Sequence, residues 1–103
     1  MLTPTLIESK LRTIIARSLQ IPEKTVHLNS TLMLDLEAES IDILDIRFII
    51  EQTFGFKFHI NEITNALTQA AAEHALTMDD IPKLFTVQIL YDHILFRLNL
   101  KND

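Results

Sequence analysis

A small all-α fold is predicted from three observations. One glycine and three prolines punctuate 103 residues, too few for a chain rich in turns. Apolar residues recur at three- and four-residue spacing along four separate segments, the period of a helix buried on one face. No long β-branched run alternates strictly with polar residues, so no sheet is expected. With 48% hydrophobic residues, a chain of this length can bury one modest core, and a single unit over 1–103 is expected.

The first helix is expected from about Thr5 to Leu19, because Ile7, Leu11, Ile14, Ile15 and Ser18 recur at helical spacing. Pro4 suits its first turn, and Ile21-Pro22 ends it. A long loop follows, in which Val26, Leu28 and Leu32 are available as apolar anchors beneath polar Asn29, Ser30 and Thr31. The second helix is predicted from Ser40, a natural N-cap, to Phe54, with Gly55 as the stop. Phe56-Lys57-Phe58-His59-Ile60 alternates apolar and polar but is short and isolated, so extended packing is expected there. Asn61 is the expected cap of a third helix reaching about Leu76, with Ile63, Ala66, Leu67, Ala70, Ala71 and His74 on one face. That face is mostly alanine. Thr77 to Pro82 is expected to form a short turn or a one-turn helix. Thr86 then caps a last helix to about Leu98, with Val87, Leu90, Tyr91, Ile94 and Leu98 aligned.

Composition removes several classes of function. There is no cysteine, so disulfides and thiolate metal sites are excluded. His27, His59, His74 and His93 show no close ligand pairing, and Asp79-Asp80 lacks the glycine and spaced oxygens of a calcium loop, so no metal site is expected. Residues 1–20 carry Glu8, Lys10, Arg12 and Arg17 in an amphipathic pattern unlike a secretory signal, and no apolar run is long enough to span a bilayer. A cytoplasmic protein is expected.

The formal net charge of −5 is concentrated in one stretch. Residues 35–62 hold Asp35, Glu37, Glu39, Asp42, Asp45, Glu51 and Glu62 against only Arg47 and Lys57. Such a face repels nucleic-acid phosphate and steers toward basic protein surfaces; a solvated helix face that keeps the protein soluble would carry the same charge.

Ser40 lies inside that run, at the start of a predicted helix. A hydroxyl there, with no histidine near in sequence to act as a base, points to an attachment point more than to an active site, although a plain N-cap would use the same residue. At about 100° per residue, Ile43, Ile46, Ile50 and Phe54 form one stripe of this helix, and Ile41, Leu44 and Phe48 form a second on nearly the opposite side, beside Asp42, Asp45 and Glu51. A surface helix needs one apolar face. The second stripe is therefore either covered by the third helix or free to dock a partner.

These residues carry a family resemblance. The stretch Asp35-Leu36-Glu37-Ala38-Glu39-Ser40-Ile41-Asp42, continuing to Phe54-Gly55, resembles the region around the modified serine of acyl carrier proteins, whose core pattern is Asp-Ser-Leu at the start of the second helix. Leu32-Met33-Leu34-Asp35-Leu36 upstream and Thr86-Val87-Gln88 downstream are similar in order and position, so the likeness covers residues 5–60 and 78–98. Glu39 stands where the family has Asp, Glu37 where it usually has Gly, and Ile41 where it has Leu. Between Phe58 and Thr77 the chain carries roughly an extra helix, as specialised carriers of long or modified acyl chains do.

The resemblance implies an acyl-carrier-like four-helix bundle with an extra helical segment, no catalytic residue of its own, and 4′-phosphopantetheine attached to Ser40 from coenzyme A. It implies service to fatty-acid, lipid or polyketide enzymes, with a phosphopantetheinyl transferase and acyl-synthesis or acyl-transfer enzymes with basic patches as partners. They would dock on Asp35, Glu39, Ile41, Asp42, Leu44, Asp45, Phe48 and Glu51 of a monomer that binds no nucleic acid. An aminoacyl or peptidyl carrier, and an unmodified acidic helical interaction module, are the alternatives.

Overall fold

The computed structural model describes residues 2–100, and in them the chain is helical with no strand. Helix α1 spans Pro4–Leu19, α2 Ser40–Phe54, α3 Ile60–Glu73, α4 Ile81–Leu84 and α5 Val87–Arg97, with 3₁₀ turns at Glu23–Thr25 and Met78–Asp80. The third helix starts two residues earlier than predicted and ends three residues sooner. The expected turn before the last helix is a 3₁₀ turn running into the four residues of α4.

Helix α1 begins at a Thr3 cap, whose hydroxyl accepts the Leu6 N–H at 3.2 Å, followed by Pro4 in the first turn. Gln20 ends it in the left-handed region, φ 57°, one residue ahead of the Ile21-Pro22 pair. Its buried stripe of Ile7, Leu11, Ile14 and Ile15 packs on α2 and α5. From α2 the core receives Ile43, Ile46, Ile50 and Phe54, and from α5 Val87, Leu90, Tyr91, Ile94 and Leu95. Leu98, expected on that last face, is only half-buried.

The long loop is held as the apolar anchors predict, since Val26 and Leu32 are fully buried and Leu28 is half-buried. Its backbone is also paired. Leu32 N–H donates to Phe85 O at 2.9 Å, Val87 N–H to Ser30 O at 2.9 Å, and Gln88 N–H to Leu28 O at 2.8 Å, around a lone antiparallel bridge of Thr31 with Thr86. Buried backbone groups need such partners. The loop therefore arrives at Ser40 on a fixed path.

Helix α3 departs from expectation in two ways. His59, not Asn61, is its cap, with Glu62 at the third helical position accepting the His59 N–H at 2.8 Å. Its buried stripe is Ile63, Leu67 and Ala71, while Ala66 and Ala70 are half-buried and His74 is exposed. The buried face is thus not mostly alanine: a four-residue step selects the larger side chains, and the alanines flank them.

Candidate functional site

Ser40 is the first residue of α2, exposed, and its hydroxyl has no hydrogen-bond partner among the described residues. The cap is Glu39, not Ser40. Glu39 and Asp42 form a capping box, in which the Asp42 carboxylate accepts the Glu39 N–H at 2.8 Å. A neighbouring pair thus does the capping expected of the serine.

Three residues before Ser40, Glu37 has φ 57°, the left-handed region that glycine adopts without strain. Here the backbone keeps the bend with a side chain present. Asp35 accepts the Thr31 N–H at 2.8 Å and returns its own N–H to the Thr31 hydroxyl at 2.9 Å, so its carboxylate fixes the loop.

The second stripe of α2 stays uncovered. Ile41 is 70% exposed, Leu44 47% and Phe48 51%, and Leu34 in the preceding loop is 55% exposed. Asp45 is exposed beside them and takes the Ser18 hydroxyl of α1 at 3.2 Å. Glu51, expected on the same rim, is turned elsewhere: it accepts the Phe58 N–H at 2.8 Å and pairs with Arg47 at 3.8 Å, and that arginine donates to Phe58 O. Both peptide groups of Phe58 are thereby tied to α2.

Beside Ser40 opens a cleft of about 330 Å³ between α2, α3 and α4. Ser40 and Met33 stand with Ile43 and Leu44 on one side, Ile60, Ile63, Thr64, Leu67 and Thr68 form the α3 wall, and Ile81 and Phe85 complete it. Almost all of its surface is carbon. Thr64 turns its hydroxyl back to Ile60 O at 3.3 Å. Ala66, Ala70 and Ala71, expected on the buried face of α3, do not border it.

The exposed Ser40 hydroxyl thus stands at a helix start beside an apolar cleft. The family model described as phosphopantetheine attachment site matches residues 9–74, more than half of the chain. The chain belongs to that family. It is also 29% identical over 62 residues to an acyl carrier protein of Coprothermobacter proteolyticus, an alignment covering 60% of this chain and 76% of that one. The protein is therefore a phosphopantetheine carrier, not a catalytic enzyme; its cofactor is covalent 4′-phosphopantetheine, and it is modified by a phosphopantetheinyl transferase and works with partner enzymes. Among the described residues no helix is long and apolar enough to cross a membrane.

A carboxyl with a shifted pKa lies away from the serine, on α3. The Glu62 carboxyl is pushed up by burial, but the His59 N–H, Arg97 and His93 outweigh this and hold it below the usual glutamate value. Its Oε1 meets His93 Nε2 at 2.9 Å and Arg97 at 2.6 Å. Sequence periodicity gave no sign of this cluster, whose members lie on two helices more than thirty residues apart.

Proposed function

We propose that Ser40 is the attachment residue and that the chain is an acyl carrier whose cargo shelters in the cleft between α2, α3 and α4. The observation that carries this is the position of the exposed, unbonded Ser40 hydroxyl at the mouth of a nearly all-carbon cleft. In the transfer, Ser40 Oγ loses its proton to a base of the transferase and bonds to phosphorus as the pyrophosphate link of coenzyme A breaks, and the nucleotide half departs as its phosphate with the electron pair of the broken bond. When bound, the group supplies a thiol that holds cargo as a thioester. A phosphodiester on Ser40 would lie at the N-terminal end of α2, where the helix dipole favours an anion.

The cleft favours acyl over aminoacyl cargo. An α-ammonium would lose its hydration there with no carboxylate among the lining residues to meet it, whereas an alkyl chain gains by leaving water. By proportion to an apolar cavity of about 150 Å³ that holds benzene, 330 Å³ takes roughly thirteen carbons, room for a dodecanoyl chain. An unmodified interaction module would have no use for such a cleft at its serine.

Client enzymes would dock on Ile41, Leu44 and Phe48, rimmed by Glu39 and Asp45, through basic surface groups that speed encounter and select partners. Asp35 and Asp42 stand beside this surface but are engaged in the loop and the cap, and Glu51 is engaged with Phe58. Loading with dodecanoyl and, separately, glycyl groups tests the cargo class. A rise in Tm for the dodecanoyl form alone is expected; equal Tm values would contradict an acyl cleft.

A further inference from the structure

We propose that Glu62, His93 and Arg97 form a clasp that sets α3 in place as the wall of the cleft, with Glu62 as its positioning residue; this rests on the carrier function proposed above. The starting observation is how α3 is held. It packs against the short α4 and the 3₁₀ turn before it. Its first turn, however, is tied to α5: Glu62 Oε1 takes His93 Nε2 at 2.9 Å and Arg97 at 2.6 Å, while Oε2 takes the His59 N–H at 2.8 Å. One carboxylate thus closes the helix start and joins it to another helix.

The link leading into α3 is gripped at the same place. Arg97 also donates to Lys57 O at 2.7 Å and lies 4.6 Å over the Phe56 ring. His93 stacks on the fully buried Phe58 ring at 5.1 Å, and the Phe58 peptide is tied from the far side by Arg47 and Glu51 of α2. Residues 56–62 are therefore fixed from α2 and α5 together. Half-buried, charge-assisted bonds of this kind hold a geometry more firmly than exposed ones.

The consequence for the cleft follows from the helix itself. Ile60, Ile63 and Thr64 line it from the turn that carries Glu62, and Leu67 and Thr68 line it from the next. Any shift of Glu62 moves that wall, because a helical turn moves as a unit. None of the three clasp residues borders the cleft, so their effect on cargo is through α3.

Glu62→Ala and Arg97→Met test the clasp by two readouts. In the unloaded protein, hydrogen exchange at amides 62–68 should quicken several-fold in both variants while α1 amides keep the wild-type rate. In the loaded protein, hydroxylamine should cleave a dodecanoyl thioester several-fold faster than in wild type, with cleavage of an acetyl thioester, too short to use the cleft, unchanged. Glu62→Gln, which keeps one acceptor but loses the charge, should fall between. Wild-type exchange at 62–68 in folded variants would overturn the clasp, as would unchanged dodecanoyl cleavage. If Glu62→Ala does not fold, Arg97→Met decides alone. If hydroxylamine cleaves both thioesters of the wild-type protein equally, the cleft proposal fails, and the exchange readout still decides the clasp.

Discussion

Asp42 holds the backbone N–H of Glu39 at 2.8 Å, and Ser40 lies inside the turn that this bond closes. The helix start is thus capped by its neighbours, leaving the serine hydroxyl free. Capping, which residue type alone assigns to Ser40, falls to Glu39 and Asp42.

That division predicts opposite results for adjacent substitutions. Asp42→Ala should cost about 1 kcal/mol, the usual value of a lost cap interaction. Ser40→Ala should change stability by less than about 0.5 kcal/mol, as for an exposed surface position. Urea unfolding of the two variants measures both, and a larger loss for Ser40→Ala would return the cap to the serine.

Glu37 and Gly55 are both in the left-handed region, at φ 57° and 77°. Glu37→Gly should relieve strain and stabilise by roughly 0.5–1 kcal/mol, and Gly55→Ala should lose about 1 kcal/mol. No atom lies within 4 Å of where the added Cβ would stand at Gly55, so that cost is conformational and not steric. Denaturant midpoints compare them directly.

Docking by the α2 surface predicts a salt signature. Asp45→Lys should raise the KM for modification by a phosphopantetheinyl transferase several-fold at low ionic strength, with the difference from wild type shrinking as salt screens the rim. An equal KM at all salt concentrations would move the docking surface elsewhere.

Acid should release Glu62. Its folded pKa lies below the unfolded value of about 4.5, so its contribution is complete above that value and is lost as pH falls through the folded pKa. The stability gap between wild type and Glu62→Gln should therefore be constant near neutral pH and narrow in the acid range below about pH 4.5. Chemical denaturation at a series of pH values reads the gap, and a gap that widens toward acid would contradict the lowered pKa.

Filling the cleft should affect cargo more than fold. Thr68 borders it and is exposed, so Thr68→Leu is expected to leave the unloaded protein within about 0.5 kcal/mol of wild type and to reduce the Tm gained on dodecanoyl loading. Scanning calorimetry of both forms checks this.

Much of this architecture was legible in the residues. The bounds of α2, the stop at Gly55, the Thr86 cap and the anchors Val26 and Leu32 follow from local chemistry and period. The two misplaced caps also had a local sign, since Glu39 and His59 each precede an acid by three residues, but Ser40 and Asn61 are the stronger caps by residue type. Glu51 could not be placed by angle alone: it shares the rim of α2, and its partner Phe58 lies across a turn. The Glu62 clasp and the cleft depend on how distant segments meet, which no single-helix pattern encodes.

The mass of the intact protein after incubation with coenzyme A and a broad-specificity phosphopantetheinyl transferase bears most directly on Ser40. Wild type should gain one phosphopantetheine and Ser40→Ala none. Modification of the alanine variant, or an unmodified wild type under conditions that modify another carrier, would contradict attachment at Ser40.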